Sequence, residues 1–505
     1  TTKSGEGPPK ATGVVEGGSF GTFNQTANLS GSQGNFSYAF NILHFQSHST
    51  PVTPLHLLAP GEHRIDDKYN NWTYSTKLGA KVSDDVVVNL VARYTDAKLG
   101  FTGEDFLNFV LPAPEAMQDT QRNHQLFTRG EVVWSLFDGR FKNYFGIDYS
   151  NQWQWNFDPN PDSFFTTPLV APPTTNLGVR TKVDWRGEAH VAPGQTLVMG
   201  LEDERESLRT DSTGTVDPFF NFTQTTTRAR TGNKAAYVEL QSHFTKRFSV
   251  VSNIRYDDND SFGPHVTWRV APIFIVPVTE TTLKGSYGTG FKAPTLTQLF
   301  VDNPSFMIKA NPNLLPEESK GYDFGFEQPL FNGRLRVGAT YFHNDVTNLI
   351  VGTFDPVSFA FSNTNIGEAT MHGVESFASV RVNDQFAVRA DYTTTVTRDE
   401  TTGLGLLRRP GNKLSVSAIW SPVERLTLST TVLRVGSWID ISRDGSIPRL
   451  NAPGYTTVNL AANYKVDDHL TVFGRIDNLF DRRYEDPIGF EHPGFGIFGG
   501  VRVTN

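Results

Sequence analysis

Strict two-residue alternation of apolar and polar side chains constrains this chain more than any other feature of its sequence. In "NWTYSTKLGAKV" one face carries Trp72, Tyr74, Thr76, Leu78, Ala80 and Val82, and the other Thr73, Ser75, Lys77, Gly79 and Lys81. Val86, Val88, Leu90, Ala92 and Tyr94 repeat the pattern directly afterwards. Phe386, Val388, Ala390 and Tyr392 alternate with Ala387, Arg389, Asp391 and Thr393; Leu470, Val472, Gly474 and Ile476 alternate with Thr471, Phe473, Arg475 and Asp477. Side chains switch faces at every residue of a strand but recur every 3.6 residues on a helix, so these segments are strands.

Turn chemistry supplies a second, longer period. Ten tight connections ("GSQGN", "SDD", "DGR", "APGQ", "TKR", "PVTE", "FNGR", "NDQ", "PVER" and "VDDH") are rich in the Gly, Pro, Asp and Asn that hairpins demand. Between them lie longer connections, including residues 48–70, 102–120, 156–175, 210–225 and 295–316. Short turns at one end and long loops at the other predict an all-β chain. The expected fold is a transmembrane antiparallel barrel of roughly 22 strands, with short periplasmic turns and long extracellular loops.

Composition is compatible with that reading and narrows the alternatives. Mean hydropathy is only -0.35, and no run of 18 apolar residues suggests a membrane-spanning helix. A barrel hides its apolar half in the alternation, so low average hydropathy is expected of it. A net charge of -8 over 505 residues gives no reason to expect nucleic acid as a partner. The absence of cysteine excludes a disulfide framework and thiolate metal sites. The polar opening "TTKSGEGPPKATG" has no apolar stretch and reads as the start of a mature chain or of a fragment.

A closed sheet this large has a wide lumen that side chains cannot fill, so its inward residues should be polar. Arg255, Asp257, Glu375, Arg389, Asp391, Arg475 and Asp477 fall on that face. A β-sandwich with a solvated polar face is the alternative, but it does not require loop length to alternate along the whole chain.

"GSYGTGFKAPTLTQLF", residues 285–300, poses a sharper choice. Gly285 and Gly290 have the glycine spacing of a phosphate-binding loop, which needs lysine directly after the second glycine and then Ser or Thr. Phe291 intervenes before Lys292, and Ala293 follows. The stretch therefore reads as a strand whose glycines admit close backbone approach and whose pairing stops at Pro294, with extended rather than helical chain beyond.

From here the chain resembles a family. "GTGFKAP" with "NPNLLPEES" (residues 311–319) is similar to the paired signature of TonB-dependent outer-membrane receptors. "NIGEATMHGVE" (365–375), "LLRRPGNK" (406–413) and "DNLFDRRYED" (477–486) follow in the order that family shows. "YDDNDSFGPHVTW" (256–268) resembles the branch holding cobalamin and many siderophore receptors. The resemblance implies energised uptake of a scarce metal chelate, siderophore or cobalamin, across a bacterial outer membrane by a monomeric barrel. It also implies a plug domain in the lumen, pulled by the inner-membrane TonB complex. The opening residues resemble the junction between plug and first strand. The expectation is thus a barrel domain over residues 1–505 with the plug missing from this chain and an open, conducting lumen. Family members usually end on an aromatic residue, whereas this chain ends on Asn505, expected on the lipid face with Val501 and Val503. A passive porin or an engineered plugless channel is the alternative. No convergent Ser/His/Asp or paired-acid site is read at the rim, so no enzyme and no cofactor are expected.

Rigid aromatic surface with a few polar groups holds large ligands. Trp155, Phe219, Phe220, Asn303 and Phe306, in or beside long connections, are therefore the candidate ligand contacts, while Trp153 reads as part of an aromatic interface girdle. His44, His48, His56 and His63 flank one loop, but spacings of 4, 8 and 7 match no compact ligand set. Calcium needs six to eight oxygens, and Asp66 with Asp67, or Glu104 with Asp105, are only pairs. No metal site is assigned.

Overall fold

Period-two segments joined by tight turns pair with their neighbours in sequence, and in the computed structural model they do so around a complete circle. The structure describes residues 5–505 apart from positions 51, 59, 62, 104–117, 160, 163–168, 171, 217–221, 303–307, 356–359 and 444. The wall begins with β1 (Lys10–Gly18), β2 (Thr22–Gln33), β3 (Phe36–Thr50), β4 (Asp67–Lys81) and β5 (Val86–Thr102). It continues through β6 (Gln118–Leu136), β7 (Phe141–Phe157), β8 (Thr174–Ala192), β9 (Gln195–Val216), β10 (Phe222–His243) and β11 (Phe248–Asn259). Next come β12 (Gly263–Ile275), β13 (Thr282–Lys292), β14 (Glu317–Leu330), β15 (Leu335–Asp355) and β16 (Ala360–Arg381). β17 (Phe386–Asp399), β18 (Asn412–Val423), β19 (Leu426–Val435), β20 (Tyr455–Lys465), β21 (Leu470–Asp477) and β22 (Gly496–Thr504) complete it.

Each strand is antiparallel to the next, and β22 pairs back onto β1 from Thr12↔Thr504 to Gly18↔Phe498. Closure leaves none of these wall strands at an open edge, which a membrane-spanning sheet requires. At the end of this seam Asn505 extends the ladder: its Oδ1 accepts from the Ala11 N–H at 2.7 Å, and its own N–H donates to the Ala11 carbonyl at 3.2 Å.

All ten tight turns fall where the sequence predicts them, at one end of the barrel. The turn at Phe137–Gly139 takes positive φ at three successive residues, and the "FNGR" turn repeats this at Phe331, Asn332 and Gly333. Gly194 is demanded sterically as well, since a Cβ there meets the His243 carbonyl at 2.5 Å. The other end differs from expectation in two respects. Three of its eleven connections are short, after β1, β11 and β15. The connection read across 210–225 is mostly sheet, because β9 and β10 run out to Val216 and Phe222. Thr-rich sequence there keeps extended pairing well past the first polar residues.

"GSYGTGFK" is strand β13. A Cβ on Gly288 meets the Trp268 carbonyl at 2.7 Å, so this glycine admits the neighbouring backbone as expected. Beyond Pro294 the expectation of extended chain fails: α1 (Leu296–Phe300) is a single helical turn. Its cause is a capping box, Thr295 Oγ1 accepting from the Gln298 N–H and Gln298 Oε1 accepting from the Thr295 N–H.

The outer face is lined by half-exposed apolar side chains such as Leu90, Ile147, Val183, Leu201, Ile254 and Phe324. In a solvated protein such a surface is untenable; in lipid it is the required one.

Candidate functional site

The lumen is where the chemistry gathers. Ile254 and Tyr256 point outward, so Arg255 and Asp257 between them point in. Arg255 reaches Glu202 and Asp257, each at 2.9 Å, and the ring of Tyr237. Asn233 donates to Asp257 at 2.8 Å. On the neighbouring strands Arg129 binds Asp148 at 2.7 Å, Asp184 at 2.8 Å and Glu131 at 3.0 Å. Lys182 stands 3.7 Å from Glu202 and 3.9 Å from Asp184, joining the two clusters. The result is one charged belt across β6–β11, in which Arg129, Lys182 and Arg255 each face at least two carboxylates.

Above this belt, toward the long-loop end, the wall and α1 enclose a cavity of about 520 Å³. Its polar side is Gln152, Arg180, Glu204 and Asn233; its apolar side is Phe291 and Leu299. Leu296 and Leu299 are buried against the wall, so the helical turn is anchored by its apolar face. His265 stacks on Phe291 at 4.0 Å beside the same space. Such a surface offers hydrogen bonds and charge of both signs to a polar occupant while keeping one hydrophobic flank.

Other predicted inward residues lie elsewhere on the wall. Arg389 pairs with Asp391 on its own strand and lies over the Phe377 ring. Arg475 ion-pairs with Asp477 and with Glu16 at 3.2 Å, and covers the Phe498 ring at 3.7 Å. Glu375 is exposed and makes no ion pair among the described residues. Sequence reading overlooked Arg129, Lys182, Asp184 and Glu202. Their signal was present: Arg180, Lys182, Asp184, Arg186 and Glu188 alternate in β8, as do Glu202, Glu204 and Glu206 in β9.

Trp155 is corrected. Ser150 and Gln152 line the inner cavity, so Trp153 and Trp155 project from the opposite, outer face. Trp155 packs on Phe157 and under the Arg122 guanidinium, away from the lumen. It continues the girdle formed by His44, Trp72, Tyr74, Tyr94, His124 and Trp153, which touch in succession from β3 to β7. Phe219, Phe220, Asn303 and Phe306 lie outside the described residues, as do Glu104 and Asp105. The loop histidines do not converge: His44 stacks on Trp72 at 4.1 Å, whereas His56 lies 3.5 Å from Glu485. Asp67 is engaged structurally, accepting from Thr102 N–H at 2.9 Å and Oγ1 at 3.1 Å. A G-x-S-x-G spacing at Gly17–Gly21, passed over in the sequence reading, is a hairpin turn; Ser19 Oγ there accepts from the Ile497 N–H at 2.9 Å.

Near the seam, the long-loop end carries a packed cap. Val435, Trp438, Ala452 and Tyr455 form its core, with Tyr484 and Ile488 against them. Asp440, fully buried, accepts from Arg408 Nε at 2.7 Å and from the Ile441 and Ile488 amides at 2.8 and 3.0 Å. Burial pushes the Asp440 carboxyl up, but the Arg408 guanidinium and the two amides outweigh it and hold the carboxyl below its ordinary range. An Arg64–Glu491 ion pair and the Glu491 N–H bonded to the Val52 carbonyl tie the first long loop to this cap.

A hollow closed barrel with an ion-paired polar interior and an apolar, aromatic-belted exterior is the architecture of a transmembrane β-barrel. The chain belongs to the TonB-dependent receptor-like β-barrel family, whose pattern matches residues 12–479. It is 29% identical over 314 residues to the vitamin B12 transporter BtuB of Vibrio vulnificus, covering 62% of this chain and 47% of that protein. It is 26% identical over 426 residues to the BtuB of Photobacterium profundum, covering 83% of this chain and 62% of the relative. The chain thus spans about half to three fifths of the length of these relatives. Among solved structures it resembles the copper transporter OprC, with a TM-score of 0.80 and 16% identity over 100% of this chain and 81% of the other. A mutant of the ferric enterobactin receptor PfeA from Pseudomonas aeruginosa gives the same TM-score, identity and coverage. At such identities the likeness is one of fold.

Proposed function

We propose that this chain is the translocation barrel of an outer-membrane receptor for energised uptake of a metal chelate, a cobalamin or a ferric siderophore. The observation that carries the reading is the charged belt across β6–β11. Its residues sit on the inner face, paired among themselves and still reachable from the lumen, where they can hydrogen-bond a folded plug or a passing polar ligand. The cargoes for which the relatives and fold neighbours are named, vitamin B12, copper and ferric enterobactin, support a metal-containing cargo. Energy then comes from the TonB complex acting through a plug domain in the lumen. Phe219, Phe220, Asn303 and Phe306 are retained as proposed ligand contacts at the long-loop end.

Two measurements test this. The barrel joined to a family plug should bind cyanocobalamin or a ferric catecholate with a dissociation constant below about 1 μM, and Phe219→Ala with Phe306→Ala should weaken it. Absence of binding to either cargo sinks the receptor reading. The 505 residues alone, inserted in a planar bilayer, should conduct ions; a silent bilayer overturns the open-lumen part and leaves the receptor part to the binding assay.

A further inference from the structure

We propose that the outer face of β15 and β16 carries a site for a transition-metal dication, Cu2+, Ni2+ or Zn2+, held between the imidazoles of His343 and His372. These residues stand directly opposite one another across the ladder, the one place among the described strands where two histidines do so. Directly opposed side chains on antiparallel neighbours have Cβ atoms about 4.5–5.5 Å apart. The two rings lie 5.9 Å apart, centroid to centroid. Rotation about the side-chain bonds then brings one nitrogen of each within the reach of about 2.0–2.1 Å that a shared ion needs. His343 is paired with Tyr322, which shares its face with exposed Phe324 and Phe326, so both histidines project outward. They lie eight and nine residues from the turn residues Leu335 and Arg381, close to the outer limit of the span of about 9–11 residues that crosses the hydrocarbon. At that height an ion reaches them from the aqueous side.

Hydrogen bonding prepares the pair as ligands. His343 Nε2 lies 2.9 Å from Asp345 Oδ1. A carboxylate only accepts, so Nε2 carries the proton and Nδ1 of the neutral ring keeps its lone pair. A carboxylate behind an imidazole is the arrangement that orients metal-binding histidines and raises their basicity. The His372 ring makes no hydrogen bond or ion pair among the described residues; its neighbour is the His343 ring. Tyr322 flanks His343 on the other side, its ring 5.1 Å away and tilted by only 17°. An interface girdle alone would be served as well by tyrosine or tryptophan at both positions, but those rings lack an imidazole nitrogen with a free lone pair. No three His, Asp or Glu side chains converge on one point among the described residues, so two imidazoles bind the ion, Asp345 supports from behind, and water completes the shell. Imidazole donors favour Cu2+, Ni2+ and Zn2+, with Cu2+ the tightest, whereas Ca2+ and Mg2+ require oxygen ligands.

The test uses the full chain refolded in detergent micelles and loaded with one equivalent of Cu2+. Pulsed electron paramagnetic resonance should count two coordinated imidazoles per ion. The count should fall to one in His343→Phe and in His372→Phe, variants that keep the aromatic stack. Competition against a soluble chelator should show Cu2+ bound at least about tenfold less tightly in either variant and in Asp345→Asn, the usual cost of losing a supporting carboxylate. His190→Phe, at the turn end of β8, should leave both readings unchanged. Fewer than two imidazoles on the unsubstituted barrel overturns the site, and that reading stands even where a variant fails to fold. Two imidazoles that persist in the folded phenylalanine variants overturn it as well, by assigning the ion to other histidines. So does displacement of Cu2+ by an equal concentration of Ca2+, which marks a carboxylate site.

Discussion

The seam and the wall opposite it are built from the same alternating code yet reach stability by different means. Around the seam β21, β22 and β1 have 8, 9 and 9 residues, no more than a single membrane crossing. Opposite, β8, β9 and β10 have 19, 22 and 22 residues and rise far beyond the lipid as continuous sheet. Where the strands stop early, loops take over, and loops need a core of their own; the cap around Trp438, Tyr455 and buried Asp440 supplies it. Where the strands continue, the ladder satisfies the backbone, and what remains is to neutralise a crowded inner face, which Arg129, Lys182 and Arg255 do. One side is held by packing, the other by paired charge.

The sharpest way to break this contrast is Asp440→Ala. Removing the buried carboxylate leaves two amides without their acceptor, while the half-exposed Arg408 guanidinium turns to solvent, a loss of about 2–4 kcal/mol confined to the cap. Hydrogen exchange at Ile441 and Ile488 should accelerate about thirtyfold or more, with β9 amides unaffected. Exchange spreading into β9 shows that the two regions are one cooperative unit. On the tall wall, Arg129→Ala leaves three carboxylates facing one another, and the folded barrel in vesicles should lose about 1.5–3 kcal/mol in urea titration. An unchanged midpoint argues that the belt is held by solvent alone.

Acid should discriminate the regions more gently. Asp440 is held below the ordinary carboxyl value of 3.8, so its contribution is full above that pH and is lost as pH falls through the lower folded value. Cap exchange should therefore rise only at pH values under 3.8 and by less than in Asp440→Ala, since a protonated carboxyl still accepts hydrogen bonds. A cap that loosens between about pH 5 and pH 7 contradicts the assignment. The smallest effect belongs to Arg389→Gln. Its pair with Asp391 is about half exposed, and the barrel should shift by no more than about 0.5 kcal/mol.

Strands and turns were legible because their signals are local. Gly194 and Asn332–Gly333 announce their turns, and alternation assigns faces within each strand. Arg255 and Arg475 could be placed inward on that basis alone, whereas Trp155 could not. An aromatic beside "NFDPNPDS" looks like part of a ligand surface, whereas β7 continues to Phe157 and its parity turns the Trp155 ring outward. Motif meetings were also invisible. Asn365 of "NIGEATMHGVE" bonds both backbone groups of Leu315 in "NPNLLPEES". Arg408 of "LLRRPGNK" and Ile488, just past "DNLFDRRYED", meet on Asp440, which belongs to neither motif.

By itself, the sequence determined the class of the fold: a period of two, ten tight turns and polar inner faces leave room for little but a closed antiparallel barrel. Which carboxylate answers which arginine, how high each part of the wall stands, and where the distant loops interlock were decided only in three dimensions. Faces are set by neighbouring residues along one strand, but partners across strands depend on register, tilt and closure, and these are properties of the whole ring.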